Sequence, residues 1–575
     1  MKNILKHIVL VSGLIAATGC TDLTENIYSD NTTGNFYNNE TEVLSAVLRP
    51  YTHSCAVFAC QSRENYWRMN ELSADQLAWP VKGPHGYDDA KWIQLHYHTW
   101  IDMHATIRDS WDLFFMGLGF VNDAIENLET RSASSMQITE EQRAAFIAEL
   151  RANRAYYYLG LMDLWGNVPI VTKVGEPEMP ETSSRADIFN FVETEILDVI
   201  DDLPDLSRSE HNSGRFTKAA GYAMLATLYL NAEVWTGEAR WDDCITYCDK
   251  LIEDHDGVNA DYQFGLDDDI LTPFCKDNSD ESHENILGLT YDYMASGVSC
   301  GWSGDFYHFQ QRSIDGGTSN GNDGVVVIPS AYDAFADNDL RKSEWMLIGP
   351  QYRYDNPTEP VVGTSEYSGL PLVFVKDIKR ISSLGYRWNE VGQVVDSDGN
   401  VVDEETFESA IASLPSTMET GEENSGARFN KYRTGAQTDD NFWGNDWVLY
   451  RLTEIYFIKA EALMRQNGGQ PDNEGKAVDL INTCIERAFT PEDWAANVNN
   501  CRYTQQTLTM DALLQERGRE FIFEGKRRTD LIRFGEFTTG TWWDHTATND
   551  ENKELFPIPY TQTSLNSNLE QNPGY

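Results

Sequence analysis

The sequence predicts a mainly α-helical protein, in which a scaffold of tetratricopeptide-like helix pairs packs against a loop-rich region with short strands. Apolar residues recur at helical spacing over about 104–255 and again over about 446–535. Within these stretches, helical segments follow one another in pairs that are separated by short breaks. The stretches of about 50–103 and 256–445 are instead rich in Gly, Asn, Asp and Pro, a composition typical of loops.

The first residues have the layout of a cleavable signal peptide. Lys2 and Lys6 precede an apolar run over 8–17, which is too short to span a bilayer core of ~30 Å. Small residues then lead directly to Cys20, a pattern that resembles a lipoprotein box. We therefore predict a leader over 1–19, lipidation of Cys20, and a single domain over 20–575. Ordinary secretion without a lipid is the alternative.

The composition excludes several classes of function. The chain of 575 residues has a formal net charge of −47, and loss of the two leader lysines would make it −49. Such an acidic protein repels phosphate backbones, so nucleic acid is not expected as a partner. Aromatic residues make up 12% of the chain, which is too rich in packing material for an acidic disordered protein. The chain is expected to fold around a large core.

The first half of the scaffold begins with two long helical patterns. One covers about 104–128, and the other covers "ITEEQRAAFIAELRANRAYYYLGLMDLWG". Thr139 is the expected N-cap of the second helix, and Gln142 completes a capping box. These two patterns predict a pair of helices packed back to back.

Further helices follow along the same half of the chain. An apolar stripe predicts a helix that Pro204 ends, and its members are Ile188, Val192, Ile196, Val199 and Leu203. A second pair is expected from "KAAGYAMLATLYLNAEVW" and "RWDDCITYCDKLIEDH". Several alanines on the first of these segments would let its neighbour approach closely, as helix-pair repeats require.

The second half of the chain begins in the loop-rich region. There "QVVDSDGNVVD" has valine pairs on both sides of a turn sequence, which predicts a hairpin. Helical spacing returns in "DWVLYRLTEIYFIKAEALMRQNGG", "EGKAVDLINTCIERAF" and "TMDALLQERGREFIFEGKRRTDLIRFG". The last residues, "LFPIPYTQTSLNSNLEQNPGY", are rich in Pro and Asn and are expected to run extended along the surface.

Eight cysteines follow Cys20, and no two of them form a CxxC element that would indicate zinc or a redox dithiol. The spacing of Cys55 and Cys60 would allow a disulfide. Buried free thiols are the alternative that we favour.

No motif in the chain predicts catalysis. Ser303 lies in "GWSGD", which lacks the second glycine of a nucleophile elbow. His283 lies in "SHENIL", which lacks the second histidine of a zinc protease. Asp267 and Asp269 could contribute oxygen ligands to a hard cation such as calcium, but solvated loop acids are the interpretation that we favour. The sequence therefore predicts a protein that is not an enzyme.

Basic residues cluster in "ERGREFIFEGKRRTDLIRFG", over 516–535. Acidic residues alternate with them at helical spacing, and the whole protein is strongly acidic. We therefore expect these arginines to pair with carboxylates of the scaffold and not with an external anion.

Aromatic residues provide the remaining chemical signal. They are dense in "ELSADQLAWPVKGPHGYDDAKWIQLHYHTW" and in "SCGWSGDFYHF", both of which have a loop composition. Several rings in such loops should face water, where a flat ring can lie against the C–H face of a sugar while nearby polar groups bind its hydroxyls. The sequence thus predicts sugar binding by exposed rings.

Five ordered blocks resemble the SusD/RagB family, the surface lipoproteins that work with TonB-dependent transporters in Bacteroidota. The blocks are "ELRANRAYYYLGLMDLWGNVPIV", "RFTKAAGYAMLATLYL", "YRLTEIYFIKAEAL", "ERGREFIFEGKRRTDLIRFG" and "FPIPYTQTSLNSNLEQNPGY". The resemblance implies a non-catalytic protein without a resident cofactor, which captures an oligo- or polysaccharide for a SusC-like TonB-dependent transporter. Capture of peptides by a RagB-like protein on the same scaffold is the alternative.

The resemblance also implies where the protein and its ligand are held. Asp22 and Glu25 resemble an export signal, so we expect a lipid-anchored protein on the outer face of the outer membrane. The implied glycan contacts are Asp75, Lys82, Trp92 and Trp302, with Tyr87 and Tyr307 as neighbours. Some relatives hold calcium, so Asp267 and Asp269 remain candidate calcium ligands. If Trp92 and Trp302 contact glycan, replacing either by alanine should weaken binding and leave the melting temperature almost unchanged.

Overall fold

The computed structural model describes residues 36–206, 214–252, 263–296, 299–438 and 443–575. Long helices form both ends of the described chain, and short helices and two-residue strands occupy most of its middle. This architecture confirms the predicted fold class. The predicted leader and Cys20 lie outside the described residues.

Helices in the first part of the scaffold pack in sequence order. They are Glu40–Phe58, Tyr66–Glu71, Lys91–His96, Ala105–Thr130, Glu140–Leu164, Arg185–Leu197, Lys218–Leu230, Ala232–Thr236 and Trp241–Asp249. Thr139 and Gln142 form the predicted capping box, with hydrogen bonds of 3.1 and 2.8 Å. Ala105–Thr130 packs against Glu140–Leu164, and Lys218–Leu230 packs against Trp241–Asp249. The predicted helix pairs are therefore confirmed.

Helices of the second part complete the scaffold. They are Leu452–Gln466, Lys476–Ile485, Pro491–Ala496, Met510–Phe521, Arg527–Phe534 and Tyr560–Leu565. Leu452–Gln466 packs on both Trp241–Asp249 and Lys476–Ile485, so the two ends of the chain form one helical stack. The main hydrophobic cluster contains residues from Tyr51 to Ile558.

Short elements make up the region between the two parts. The α-helices are Asn278–Glu281, Tyr293–Ser296, Trp302–Phe306, Gln311–Asp315, Pro329–Asp333, Leu340–Glu344 and Glu404–Ala412. Single 3₁₀ turns, here and elsewhere, are Asp88–Ala90, Ala133–Met136, Thr272–Phe274, Ile381–Leu384, Glu486–Ala488, Val498–Asn500 and Glu551–Glu554.

The described strands form antiparallel pairs. The pairs are Leu77–Ala78 with Val326–Val327, Asn285–Leu289 with Trp447–Arg451, Met346–Leu347 with Arg428–Phe429, Gly349–Pro350 with Val373–Phe374, Tyr352–Arg353 with Asn356–Pro360, and Arg387–Trp388 with Val394–Val395. A bridge between Val395 and Val401 closes the hairpin predicted over 393–403.

Three predicted helices differ from the structure for identifiable reasons. The helix expected to reach Pro204 ends at Leu197, although tight turns still bury Val199 and Leu203 in the core. The segment from Trp447 to Arg451 is a strand that pairs antiparallel with Asn285–Leu289, and all five of its residues are buried.

The third difference is a break in the segment 509–535. Phe523 and Gly525 have φ values of 75° and 76°, and this left-handed backbone ends one helix before Arg527–Phe534 begins. The carbonyl of Phe523 accepts a hydrogen bond of 2.8 Å from the indole of Trp67. A contact with a residue more than 400 positions away therefore stabilises the break.

The eight described cysteines are free thiols, and most of them are buried. Cys55 and Cys60 do not form a disulfide, so the alternative of buried thiols is the one observed. Burial raises the pKa of Cys60 and Cys244, which leaves these thiols protonated and unreactive at neutral pH.

The basic residues of 516–535 pair with scaffold carboxylates, as predicted. Arg527 meets Asp75 at 2.6 Å, and Arg533 meets Glu461 at 2.7 Å. Nearby, Arg451 is buried among three glutamates, with N–O distances of 2.9 Å to Glu520 and to Glu524 and 3.2 Å to Glu284. These buried ion pairs join the end of the scaffold to the loop-rich region.

The buried glutamates predict how stability depends on pH. Burial alone would raise the pKa of Glu461 and Glu520, but the surrounding arginines outweigh it and lower each pKa from 4.5 to about 2. A depressed carboxyl pKa stabilises the fold fully above pH 4.5, and this contribution is lost as the pH falls towards 2. We expect the free energy of unfolding, measured with denaturant, to fall steeply between pH 4.5 and 3. Equal values at these two pH values would contradict this account.

Candidate functional site

A pair of stacked indoles flanks the loop over 83–90. The rings of Trp79 and Trp92 lie 4.6 Å apart and almost parallel, at 7°. The indole N–H of Trp92 donates a 2.7 Å hydrogen bond to the carboxylate of Asp88. Arg68 approaches both rings, within 5.4 and 5.0 Å of their centroids. The pair is thus a rigid support under the loop over 83–90.

The expectation that Trp92 and Trp302 face water is wrong. They are 2% and 0% exposed, and Tyr307 is buried as well. Trp302 packs against Tyr432 and Phe429, and its N–H donates to the Tyr307 hydroxyl at 3.2 Å. Both tryptophans belong to the main hydrophobic cluster, where a large ring that satisfies its polar atom is more stable than in water. These rings cannot contact a ligand in this conformation.

Lys82 is also buried, contrary to its expected role as a ligand contact. Its ammonium donates to the backbone carbonyl of Asp323 at 2.6 Å and lies 3.3 Å from the Asp323 carboxylate, which also pairs with Arg428. Burial, reinforced by repulsion from Arg428, lowers the pKa of Lys82 to about 7. Lys82 therefore joins the loop over 83–90 to the segment that contains Asp323.

Tyr87 is the predicted aromatic residue that the structure does present to solvent, at 55% exposure. The next three residues, Asp88, Asp89 and Ala90, have φ values of 41°, 56° and 62°. Left-handed backbone at residues other than glycine costs ~1–3 kcal/mol each and persists only where its surroundings enforce it. The hydrogen bond from Trp92 to Asp88 is one such restraint. The structure therefore holds Tyr87 outwards on a strained turn.

The loop of Tyr87 is linked to the segment that follows Tyr307 through His85. The ring of His85, in the same loop, lies 4.9 Å from that of Phe309. In the segment that follows, the Asn320 side chain accepts from the backbone N–H of Arg312 at 3.0 Å. We call this surface the loop face. It comprises the partly buried Phe309 and the exposed residues His85, Tyr87, Arg312, Asn320, Asn322 and Tyr354.

Tyr354 belongs to the loop face through a third loop. Its backbone N–H donates to the carbonyl of Ser313 at 3.0 Å, and a side chain added at Gly316 would stand 2.7 Å from its ring. Tyr354, His85 and Arg312 are not among the contacts predicted from the sequence. The tyrosine stands beside the turn sequence "DNP", which is a usable signal for a ring displayed at a loop tip.

Asp75 is separate from the loop face. Its carboxylate pairs with Arg527 through bonds of 2.6 and 2.8 Å and lines a cleft together with Gln515 and Trp542. Of the six implied glycan contacts, Lys82, Tyr87 and Trp92 share one loop, and Trp302 and Tyr307 lie in the core beside it.

The two candidate calcium ligands are engaged by the protein. Asp267 is buried and accepts from the Ser282 hydroxyl at 2.7 Å and from the backbone N–H of His283 at 2.8 Å. Burial and the nearby Glu284 raise the pKa of Asp267 to about 6. Asp269 accepts from the N–H groups of the turn that follows it. Among the described residues, no group of three or more His, Cys, Asp or Glu side chains could hold a metal ion.

The chain matches two family models and a known starch-binding protein. Residues 283–575 match a model described as "SusD family", and residues 60–230 match one described as "Starch-binding associating with outer membrane". The starch-binding protein SusD of Bacteroides thetaiotaomicron is 25% identical over 527 residues, which cover 88% of this chain and 85% of that protein.

Solved structures share the fold over almost the whole chain. B. fragilis NanU has a TM-score of 0.67 at 18% identity, and the match covers 96% of this chain and 100% of that one. Surface glycan-binding protein A from B. thetaiotaomicron in complex with laminarihexaose has a TM-score of 0.63 at 18% identity, with 93% and 99% covered.

The family model spans more than half of the chain and includes the buried ion pairs of 516–535. Proteins of this family bind carbohydrate and are not enzymes, and the family is associated with the outer membrane. None of the helices in the described ranges is long and apolar enough to cross a membrane. By its family model and its fold, this chain belongs to the SusD family.

Proposed function

We propose that this protein is a cell-surface glycan-binding lipoprotein, which captures an oligo- or polysaccharide and delivers it to a SusC-like TonB-dependent transporter. Family membership supports the carbohydrate ligand, and the starch-binding relative supports a polymer of neutral sugars. Anchoring through an acylated Cys20 would hold the single domain over 20–575 at the outer membrane, facing outwards.

The observation that carries the proposal is the loop face. Its exposed rings, Tyr87 and Tyr354, can pack on the C–H faces of sugars. Arg312, Asn320 and Asn322 are exposed beside them and can bind hydroxyls. Because the turn after Tyr87 is already held in place, binding requires little ordering of the loop.

Replacing Tyr87 by alanine is expected to weaken glycan binding by about tenfold, since loss of a stacking ring costs ~1–2 kcal/mol. The measurement is affinity electrophoresis against a panel of polysaccharides, followed by calorimetry with the best ligand. The melting temperature should not change, because Tyr87 is mostly in water.

Tyr560→Ala is the matched control, since Tyr560 is also 55% exposed but lies in the C-terminal segment. Its affinity should equal that of the unchanged protein. Equal affinities for Tyr87→Ala and Tyr560→Ala would exclude Tyr87 from the site. Tight capture of oligopeptides without any glycan affinity would favour the RagB-like alternative.

A further inference from the structure

A cleft on the scaffold, outside the loop face, has the composition of a second ligand site. It lies beside the helix Met510–Phe521 and consists of two adjoining cavities of about 290 and 190 Å³. Both cavities are lined by Asp75, Gln515, Arg527, Thr541 and Trp542. None of the residues of the loop face lines either cavity. The larger volume is near the lower limit of small-molecule pockets, ~300 Å³, and suits a single sugar ring.

The charged groups of the cleft are fixed in place. Arg527 donates to the two oxygens of Asp75 at 2.6 and 2.8 Å, and its third nitrogen donates to the carbonyl of Leu514 at 2.7 Å. An ionised carboxylate has about four lone-pair sites, so Asp75 keeps acceptor capacity after this pairing. A bidentate pair of this kind presents oriented acceptors without a free charge.

The aromatic wall of the cleft is Trp542. One face of its indole is stacked on His545, with a centroid separation of 3.7 Å and an angle of 2°. The indole nitrogen is buried and, among the described residues, makes no hydrogen bond. A side chain at Gly540, which also lines the larger cavity, would stand 3.3 Å from the six-membered ring of Trp542. Because Gly540 has no side chain, that part of the Trp542 ring is accessible from the larger cavity.

The smaller cavity contains another polar atom without a partner. Gln76 is only 6% exposed, and its amide nitrogen donates to the carbonyl of Gly518 at 2.7 Å. Its amide oxygen makes no hydrogen bond within the described ranges. A buried acceptor costs ~1–3 kcal/mol when it is left unsatisfied, so a ligand hydroxyl that reached it would be favoured.

We propose that this cleft is a second saccharide site, which binds one neutral sugar ring against Trp542. Asp75, Gln76 and Gln515 would form hydrogen bonds with the hydroxyls of that ring. The inference takes its class of ligand from the proposed function, but it concerns a separate surface. Asp511 and Glu536 also line the larger cavity, so an anionic sugar would be repelled. Arg519, at the smaller cavity, is already paired with Glu516.

The test compares variants of the full protein by calorimetry with maltohexaose, laminarihexaose and oligogalacturonate. The double variant Gln515→Ala/Thr541→Ala removes two exposed polar groups that make no side-chain hydrogen bond to any part of the chain that the structure describes. Gln506→Ala, an exposed glutamine outside the cleft, is the matched control. Trp542→Phe provides an independent change of the aromatic wall.

We expect two binding events for each chain with a neutral hexasaccharide. Tyr87→Ala should weaken one of them, and the double variant and Trp542→Phe should each weaken the other by about tenfold. Oligogalacturonate should not bind at the cleft. One binding event that Tyr87→Ala weakens and both cleft variants leave unchanged would overturn the second site and leave the loop face intact. Failure of every saccharide to bind the unchanged protein would overturn both proposals.

Discussion

Replacing Trp302 by alanine is expected to lower the free energy of unfolding by about 3–5 kcal/mol, the usual effect of removing a large buried aromatic ring. Trp302 is fully buried, and its ring packs among Tyr432, Phe429 and two further tryptophans. The substitution would leave a cavity under the loop face and remove the hydrogen bond to Tyr307. Denaturant unfolding followed by far-UV circular dichroism measures the loss directly.

This outcome is the opposite of the one that the sequence predicts for an exposed ligand-binding ring. Tyr87→Ala is the comparison, because Tyr87 has the exposed position that Trp302 lacks. It should leave the unfolding curve unchanged. A Trp302→Ala protein that kept its full stability and lost only glycan affinity would show that the ring is exposed in solution, and it would restore the original assignment.

Replacing Arg451 by methionine is expected to destabilise the protein by about 3–5 kcal/mol. The guanidinium of Arg451 is almost completely buried and contacts Glu284, Glu520 and Glu524 within 3.2 Å. Methionine keeps much of the apolar volume but leaves these carboxylates short of a positive partner. Removal of one member of a buried ion pair costs far more than the pair itself contributes.

Arg353→Met tests the same chemistry at the surface. Arg353 pairs with Asp355 at 2.7 Å, but the two side chains are 36% and 45% exposed and water screens their attraction, so removal of Arg353 should have little effect on stability. The two variants should also differ in their response to pH. The penalty in Arg451→Met should shrink as the pH falls below about 4.5, because protonation then neutralises the unpaired glutamates. A penalty that was independent of pH would contradict the electrostatic explanation.

The helical scaffold could be predicted from sequence because its signals are local. The spacing of apolar residues and the pair Thr139–Gln142 specify a helix without reference to the rest of the chain. The strand Trp447–Arg451 and the break at Phe523 could not be predicted in this way. Each depends on a distant partner, Asn285–Leu289 for the strand and Trp67 for the break.

The site was predicted less well than the scaffold, also for a physical reason. A composition rich in Gly, Asp and aromatic residues shows that a segment is irregular, but it does not show which rings the segment covers. Trp92 and Trp302 are buried because their loops fold onto the main hydrophobic cluster of the scaffold. The position of Tyr87 depends on left-handed backbone at Asp88, Asp89 and Ala90, which such residues rarely adopt without tertiary contacts.

The stacked pair of Trp79 and Trp92 supports the backbone of the loop from below. The exposed side chains of the loop do not take part in this support, so they are free to vary. On the proposed function, substitutions at exposed positions such as His85 or Tyr87 would change which glycan is bound, while the indoles and the hydrogen bond to Asp88 keep the backbone in place. If the loop face is the glycan site, a few surface mutations would suffice to match a new polysaccharide, without a new loop conformation.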